Sequence, residues 1–155
     1  MKKRIAFILP LFVIFQMMLT GAQKTMVGQD LPKLTVNFLG KEADLSGKPT
    51  IVEFWATWCP PCRKSIPHLN EIYKKYKERG LEIVGITDEN QAVVEEFLKK
   101  QPIDYHVGLD QGGKYSAGFG IEGIPHAFLV SKAGKVVWEG HPMEMQDADI
   151  EKILK

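Results

Sequence analysis

The chain has 155 residues, with 20 lysines and arginines against 19 aspartates and glutamates, for a formal net charge of +1. That length supports one domain with a real core and is too short for two ordinary ones. A charge so near balance gives no electrostatic footprint for nucleic acid, and two cysteines are too few for a disulfide-stapled scaffold.

Residues 1–22 read as a secretory signal. Lys2, Lys3 and Arg4 form a basic start, the stretch from Ile5 to Leu19 is mostly apolar though broken by Pro10 and Gln16, and Thr20-Gly21-Ala22 offers small residues at a cleavage point before Gln23. The apolar run falls short of the roughly 18 residues of a spanning helix. An uncleaved N-terminal anchor is the alternative. No cysteine stands near the boundary to carry a lipid. Either outcome places the domain, residues 23–155, outside the cytoplasm, with a bacterial periplasm the expected location. Cleavage removes three cations and no acid, leaving 133 residues at a net charge of −2.

Residues 34–38 alternate and predict a strand. A turn-rich loop spans 40–49. Residues 51–56 are apolar apart from Glu53, rich in β-branched and aromatic side chains, and predict a central strand. Ile66, Leu69, Ile72, Tyr73 and Tyr76 recur at spacings of three and four and predict a helix over 61–79. Pro67 should kink it and Gly80 should close it. Residues 81–87 predict a second buried strand. Val93, Val94, Phe97 and Leu98 mark a second helix, begun near Asp88 or Asn90 and ended by Pro102. A short strand over 105–109, punctuation at Gly112 and Gly113, and a helical turn over 115–119 follow. Strands at 127–130 and 136–139 join through 131–135 as a hairpin, and Ile150, Ile153 and Leu154 mark a final helix. The pattern predicts an α/β domain, a mixed sheet with helices on both faces.

The chemistry concentrates at Trp58-Cys59-Pro60-Pro61-Cys62, between the central strand and the helix. Two thiols at this spacing can close a small disulfide and reopen it, which is dithiol redox chemistry. A thiol attacks only as thiolate. At a helix start, unpaired N–H groups and the positive end of the helix dipole favour that anion. Pro60 and Pro61 suit the first turn, which needs no donor from them. Cys59 is expected to be the exposed nucleophile and Cys62 the buried resolving thiol. A permanent disulfide is the bland alternative, but so small a loop adds little stability. Structural zinc needs four ligands, and His68, His106, His126 and His141 are scattered without ligand spacing. No metal or cofactor is implied.

Glu53 lies on the central strand six residues before Cys59, where an ionised carboxyl is expensive to bury. Its pKa should rise, making it a candidate proton acceptor for Cys62; an acid at the strand end that reaches water is the competing reading. Gly123-Ile124-Pro125 precedes a strand, where a cis bond would present the Ile124 backbone to an extended peptide; most such prolines, though, are ordinary turns. Trp58, Pro60, Pro61, Ile124 and Pro125 would form an apolar rim suited to transient contact with an unfolded chain.

Together these residues resemble the thioredoxin superfamily: the stretch Glu53-Phe54-Trp55-Ala56-Thr57-Trp58-Cys59-Pro60-Pro61-Cys62, the helix proline Pro67, and Gly123-Ile124-Pro125 before the hairpin. The resemblance runs from about Leu31 to the C-terminus. It implies that Cys59 attacks, Cys62 resolves, Pro125 is cis, and Glu53 fills the family's buried acid position, usually Asp. The closer match is the exported TlpA/ResA-like branch, because residues 88–110 supply an inserted helix–strand unit that plain thioredoxin lacks. That branch implies a thiol–disulfide oxidoreductase, expected to act as a reductase on protein disulfides. It further implies a membrane electron donor as upstream partner, and several members reduce apocytochrome c. Ser65 stands where many of them carry Glu, so an acid role there does not carry over. His126 stands where Thr is common; a protonated ring near the dithiol would favour thiolate, and a ring facing away would not. Two other classes fit less well. A thiol peroxidase expects a Thr-x-x-Cys setting, but Thr57 is only two residues before Cys59 and Arg63 lies beyond Cys62. Copper carriers on this fold space their cysteines more widely, although thiolates bind Cu(I) well. The direction of electron flow depends on the reduction potential, which no spacing reveals.

Overall fold

The computed structural model describes residues 25–155; the expected signal segment, residues 1–22, lies outside the described residues. Six strands form one mixed sheet: β1 (Asn37–Leu39), β2 (Thr50–Phe54), β3 (Glu82–Thr87), β4 (His106–Leu109), β5 (His126–Val130) and β6 (Val136–Gly140), in the order β1-β4-β3-β2-β5-β6. β2, β3 and β4 run parallel, and β1, β5 and β6 pair antiparallel to their neighbours. β2 is central, and all five of its residues are buried. The register sets Glu53 between Gly85 of β3 and Ala127 of β5.

The described residues also form three α-helices, α1 (Pro60–Tyr76), α2 (Gln91–Leu98) and α3 (Asp147–Leu154). The helical cover is uneven. Leu69, Ile72 and Tyr76 of α1 and Ile150, Ile153 and Leu154 of α3 pack on Ile51, Ile83 and Leu129. Val94 and Phe97 of α2 join Trp55, Val107 and Leu109 on that same face. Two successive parallel crossovers moving the same way across the sheet must share a face if they share a hand. The opposite face, Val52, Phe54, Val84, Ile86, Phe128 and Val130, is covered by the N-terminal segment through Met26, Leu31 and Leu34 and by a single 3-10 turn, Ser116–Phe119. Burying each such aliphatic side chain contributes about 1.5–3 kcal/mol relative to exposure.

Most boundaries fall within a residue or two of the expected ones. α1 carries Pro67 on its exposed side and continues to Tyr76. It tightens into a 3-10 turn at Lys77–Arg79, closed by Gly80 at φ 91°, a conformation glycine adopts without steric cost. The Asn90 side chain caps α2 by accepting the Val93 N–H. α2 ends at Leu98, well short of Pro102, as Lys100 and Gln101 both turn their N–H groups onto the Phe97 carbonyl. The expected first strand is the main departure. Only Asn37–Leu39 pairs with β4, while Leu34 and Val36 are used for packing. Val36 sits so close over Gly108 that a Cβ there would lie 2.6 Å from its Cγ2.

Candidate active site

β2 delivers the chain to the site. After Phe54 the Trp55 N–H bonds the Ile86 carbonyl at 3.0 Å and keeps the chain beside β3, and the Cys59 N–H turns back to Ala56 at 3.2 Å. The bend between them is held by Glu89. Its carboxylate accepts the Thr57 N–H and the Thr57 hydroxyl, both at 2.6 Å, and the Thr87 hydroxyl at 3.2 Å. Charge-assisted hydrogen bonds of this kind are worth about 1.5–3 kcal/mol each. Glu89→Ala removes all three at a carboxylate that is partly open to water, and is expected to destabilise the protein by at least roughly 2 kcal/mol, read as a lowered urea midpoint. Thr57→Ala added to Glu89→Ala should cost less than it does alone.

Cys59 is the N-cap of α1, in extended conformation at φ −88° and ψ 106°. Pro60 and Pro61 fill the first two helical positions and have no N–H, so the first donor of the helix is the Cys62 N–H. It points at Cys59 Sγ, 3.2 Å away. The next donor, Arg63, is already spent on the Cys59 carbonyl at 3.1 Å. The two sulfurs form a disulfide with a 5.3 Å Cα–Cα separation.

The expected exposure of Cys59 is not what the structure has. In the disulfide Cys59 is only 3% exposed and Cys62 0%. Cys59 Sγ lies 3.7 Å from the Ile124 carbonyl oxygen, and the peptide bond that follows, Ile124–Pro125, is cis. That loop covers the sulfur from above. The disulfide has no proton to give the carbonyl; the reduced thiol would. Trp58 stands out at 68% exposed, Pro60 and Pro61 are exposed, Ile124 is half-buried and Pro125 is buried. Trp58 and Ile124 border a groove of about 380 Å³ floored by Phe54, Ile86 and Ile121, with Asp88 at its edge. A larger groove, about 600 Å³, lies at the other end of β2 beside Thr50 and Val130, away from the cysteines.

Beneath the helix start, Glu53 is 0% exposed. The Ser65 hydroxyl of α1 donates to Oε1 at 2.9 Å, and the Tyr105 hydroxyl donates to Oε2 at 3.0 Å. Burial pushes the Glu53 pKa up to about 7, and the two hydroxyls hold it from rising further. The Ser65 oxygen also lies 2.8 Å from the Cys62 carbonyl. Its single proton can serve either acceptor, so Ser65 links the acid to the residue that carries the second sulfur.

His126 turns away from the dithiol. It sits on the opposite face of the sheet, its ring 4.8 Å from that of Phe128, in a groove shared with Glu139. Burial lowers its pKa while Glu139 pulls the other way, so near neutral pH it supplies no cation to the sulfurs. The sequence shows the principals but not their partners: Tyr105 falls in a predicted strand, and nothing marks Glu89. The signal for Tyr105 was Gly85, a glycine interrupting the buried run of β3, which marks a place of close approach.

A thioredoxin-like fold with a Cys-x-x-Cys disulfide at a helix start, a cis-proline loop over it and a buried acid below defines a thiol–disulfide oxidoreductase. The chain belongs to the Redoxin family, whose sequence pattern matches residues 26–154. It is 38% identical over 133 residues to the thiol-disulfide oxidoreductase ResA of Bacillus thuringiensis subsp. konkukian (strain 97-27), covering 83% of this chain and 77% of that protein. To ResA of Bacillus subtilis (strain 168) it is 31% identical over 131 residues, with 81% and 73% covered. Among solved structures it resembles the thioredoxin domain of a thiol-disulfide oxidoreductase from Bacteroides vulgatus, at a TM-score of 0.72 and 26% identity, covering 85% of this chain and 100% of that one.

Proposed function

We propose that this protein is an extracytoplasmic reductase of disulfides in other proteins, with apocytochrome c before haem attachment as its substrate. The observation that carries the direction is the poverty of donors at Cys59. Two prolines strip the helix start of N–H groups, leaving the Cys62 N–H alone on the sulfur, and His126 faces elsewhere. A thiolate with little stabilisation makes the reduced pair less favoured and the potential more negative.

The Cys59 thiolate attacks one sulfur of the substrate disulfide, forming a mixed disulfide and releasing the other substrate sulfur as thiolate. Cys62 then loses its proton, with Glu53 the acceptor, and attacks Cys59 Sγ. The Cys59–Cys62 disulfide forms and the second substrate thiol leaves; two electrons have passed to the substrate. The Ile124 carbonyl beside Pro125 offers an edge to an extended substrate, and Trp58, Pro60 and Pro61 provide the apolar rim. Each turnover consumes the dithiol, so a membrane electron donor must restore it. Residues 1–22 would direct export as a cleaved signal or remain as an anchor. The similarity to ResA proteins and the basic–apolar–small pattern of that segment support this reading.

The test is the reduction potential of the Cys59–Cys62 pair, equilibrated against thiol buffers. The expected value lies nearer the roughly −270 mV of thioredoxin than the roughly −120 mV of a strong oxidant. A value at the oxidising end would reverse the proposed direction.

A further inference from the structure

We propose that Tyr105, carried by the segment between α2 and β4, is a positioning residue for Glu53: it reaches across β3 at Gly85, holds the carboxyl inside the core, and so sets the pH above which Cys62 can resolve the mixed disulfide. The proposal rests on the reading of Glu53 as proton acceptor and adds what controls it.

The geometry is specific. β3 separates β2 from β4, and Glu53, Gly85 and Val107 are successive partners across the three strands. A phenol from the β4 side must cross β3 to touch Glu53, and it crosses where β3 has no side chain. A Cβ at Gly85 would lie 3.1 Å from the Tyr105 ring and 3.0 Å from the Trp55 indole nitrogen. Tyr105 is buried, with the Tyr73 ring edge-on behind it at 6.5 Å between centroids. Its hydroxyl is thus fixed on Oε2 at 3.0 Å, leaving Oε1 to Ser65.

The two hydroxyls are not equivalent. Ser65 can accept a proton from a neutral Glu53 while donating its own to the Cys62 carbonyl, 2.8 Å away, so it serves both protonation states. Among the described residues the Tyr105 hydroxyl has no acceptor other than Glu53, and a bond to an ionised acceptor is stronger than one to a neutral acceptor. Burial, then Glu53 itself, then Asp104 hold the Tyr105 pKa well above the usual phenol range, so it remains a donor wherever Glu53 titrates. The other elements packed around the carboxyl bring no charge: α1 contributes Ser65, and β3 and β5 present Gly85 and Ala127. Asp104, exposed, is the charged neighbour, and it acts on Tyr105.

The experiment follows single-turnover reduction of insulin by the reduced full-length protein from pH 5 to pH 9. The wild type should show a break near the Glu53 pKa of about 7. Tyr105→Phe, which removes only the donor, is expected to move that break up by about one pH unit, slowing the reaction about tenfold at pH 6. Gly85→Ala, which leaves hydroxyl and carboxyl intact but displaces the ring, should move it the same way. Glu53→Gln should abolish the break and make Tyr105→Phe silent. An unmoved break in Tyr105→Phe overturns the proposal while leaving Glu53 as the titrating group. So does a downward shift, since loosened packing admits water and lowers a buried acid's pKa. A break that survives Glu53→Gln overturns the role of Glu53 and the proposal with it.

Discussion

Cys62→Ser should convert the protein from a catalyst into a trap. The variant is expected to accumulate a covalent mixed disulfide between Cys59 and its substrate, while Cys59→Ser forms none and loses insulin reduction to background. The asymmetry follows from where the sulfurs sit. Cys62 is 0% exposed, one turn into α1, and no substrate sulfur can align with it in line. Cys59 is also covered, but by the Ile124 carbonyl at the groove edge, where an incoming strand would replace that cover with its own backbone. Cys59 is also the sulfur that receives the Cys62 N–H. With Cys62 gone, release of the substrate must wait for an external thiol. A held neighbouring thiol acts at an effective molarity of about 10⁵ M or more, so release by millimolar dithiothreitol should be slower than release by Cys62 by on the order of 10⁸-fold. Non-reducing electrophoresis and intact-mass measurement read the adduct. An adduct on Cys59→Ser, with none on Cys62→Ser, would exchange the two roles.

The parts of this site that were legible in the sequence are those made by neighbours along the chain. The run ending at Ala56, the two prolines after Cys59, the spacing of Ile66, Leu69 and Ile72 and the closing Gly80 each act within a turn or a strand; the strand ends two residues early, at Phe54, and the rest appear where expected. What escaped was made at a distance. Tyr105 meets Glu53 across 52 positions and Thr57 meets Glu89 across 32, and no local periodicity encodes either. The same limit applies to exposure. A cysteine at a helix start reads as open, yet the cis-proline loop that covers it comes 65 positions later. His126 could be placed on a strand but not on a face until the register of β5 against β2 was known. The inserted helix–strand unit, legible as an insertion, proves to be more than an extra edge. Glu89 at its start fixes the bend before Cys59, and Tyr105 near its end holds the acid below it.

That acid has a cost to the fold, and Glu53→Gln should expose it: at pH 8 the variant is expected to be more stable than the wild type, by up to about 3 kcal/mol, with the advantage gone below about pH 4. The folded-state pKa of Glu53 is raised from the ordinary 4.5 to about 7. Below about pH 4.5 the carboxyl is protonated in both states and the difference vanishes. Between there and pH 7 the folded protein keeps a proton that the unfolded chain releases, so stability falls as pH rises through this window and levels off above it. A shift of roughly 2.5 pH units corresponds to about 3 kcal/mol. Glutamine has the shape of the neutral acid, accepts from one hydroxyl, donates to the other and does not titrate. Urea unfolding of the oxidised wild type and variant at pH 4 and pH 8 isolates the effect, because every other group is common to both. Parallel pH dependence in the two proteins would mean that Glu53 is not a raised acid. Curves that converge at low pH and separate above it, together with slower resolution in the variant, would show that the protein keeps an ionisable group in its core at the expense of stability because Cys62 needs somewhere to send a proton.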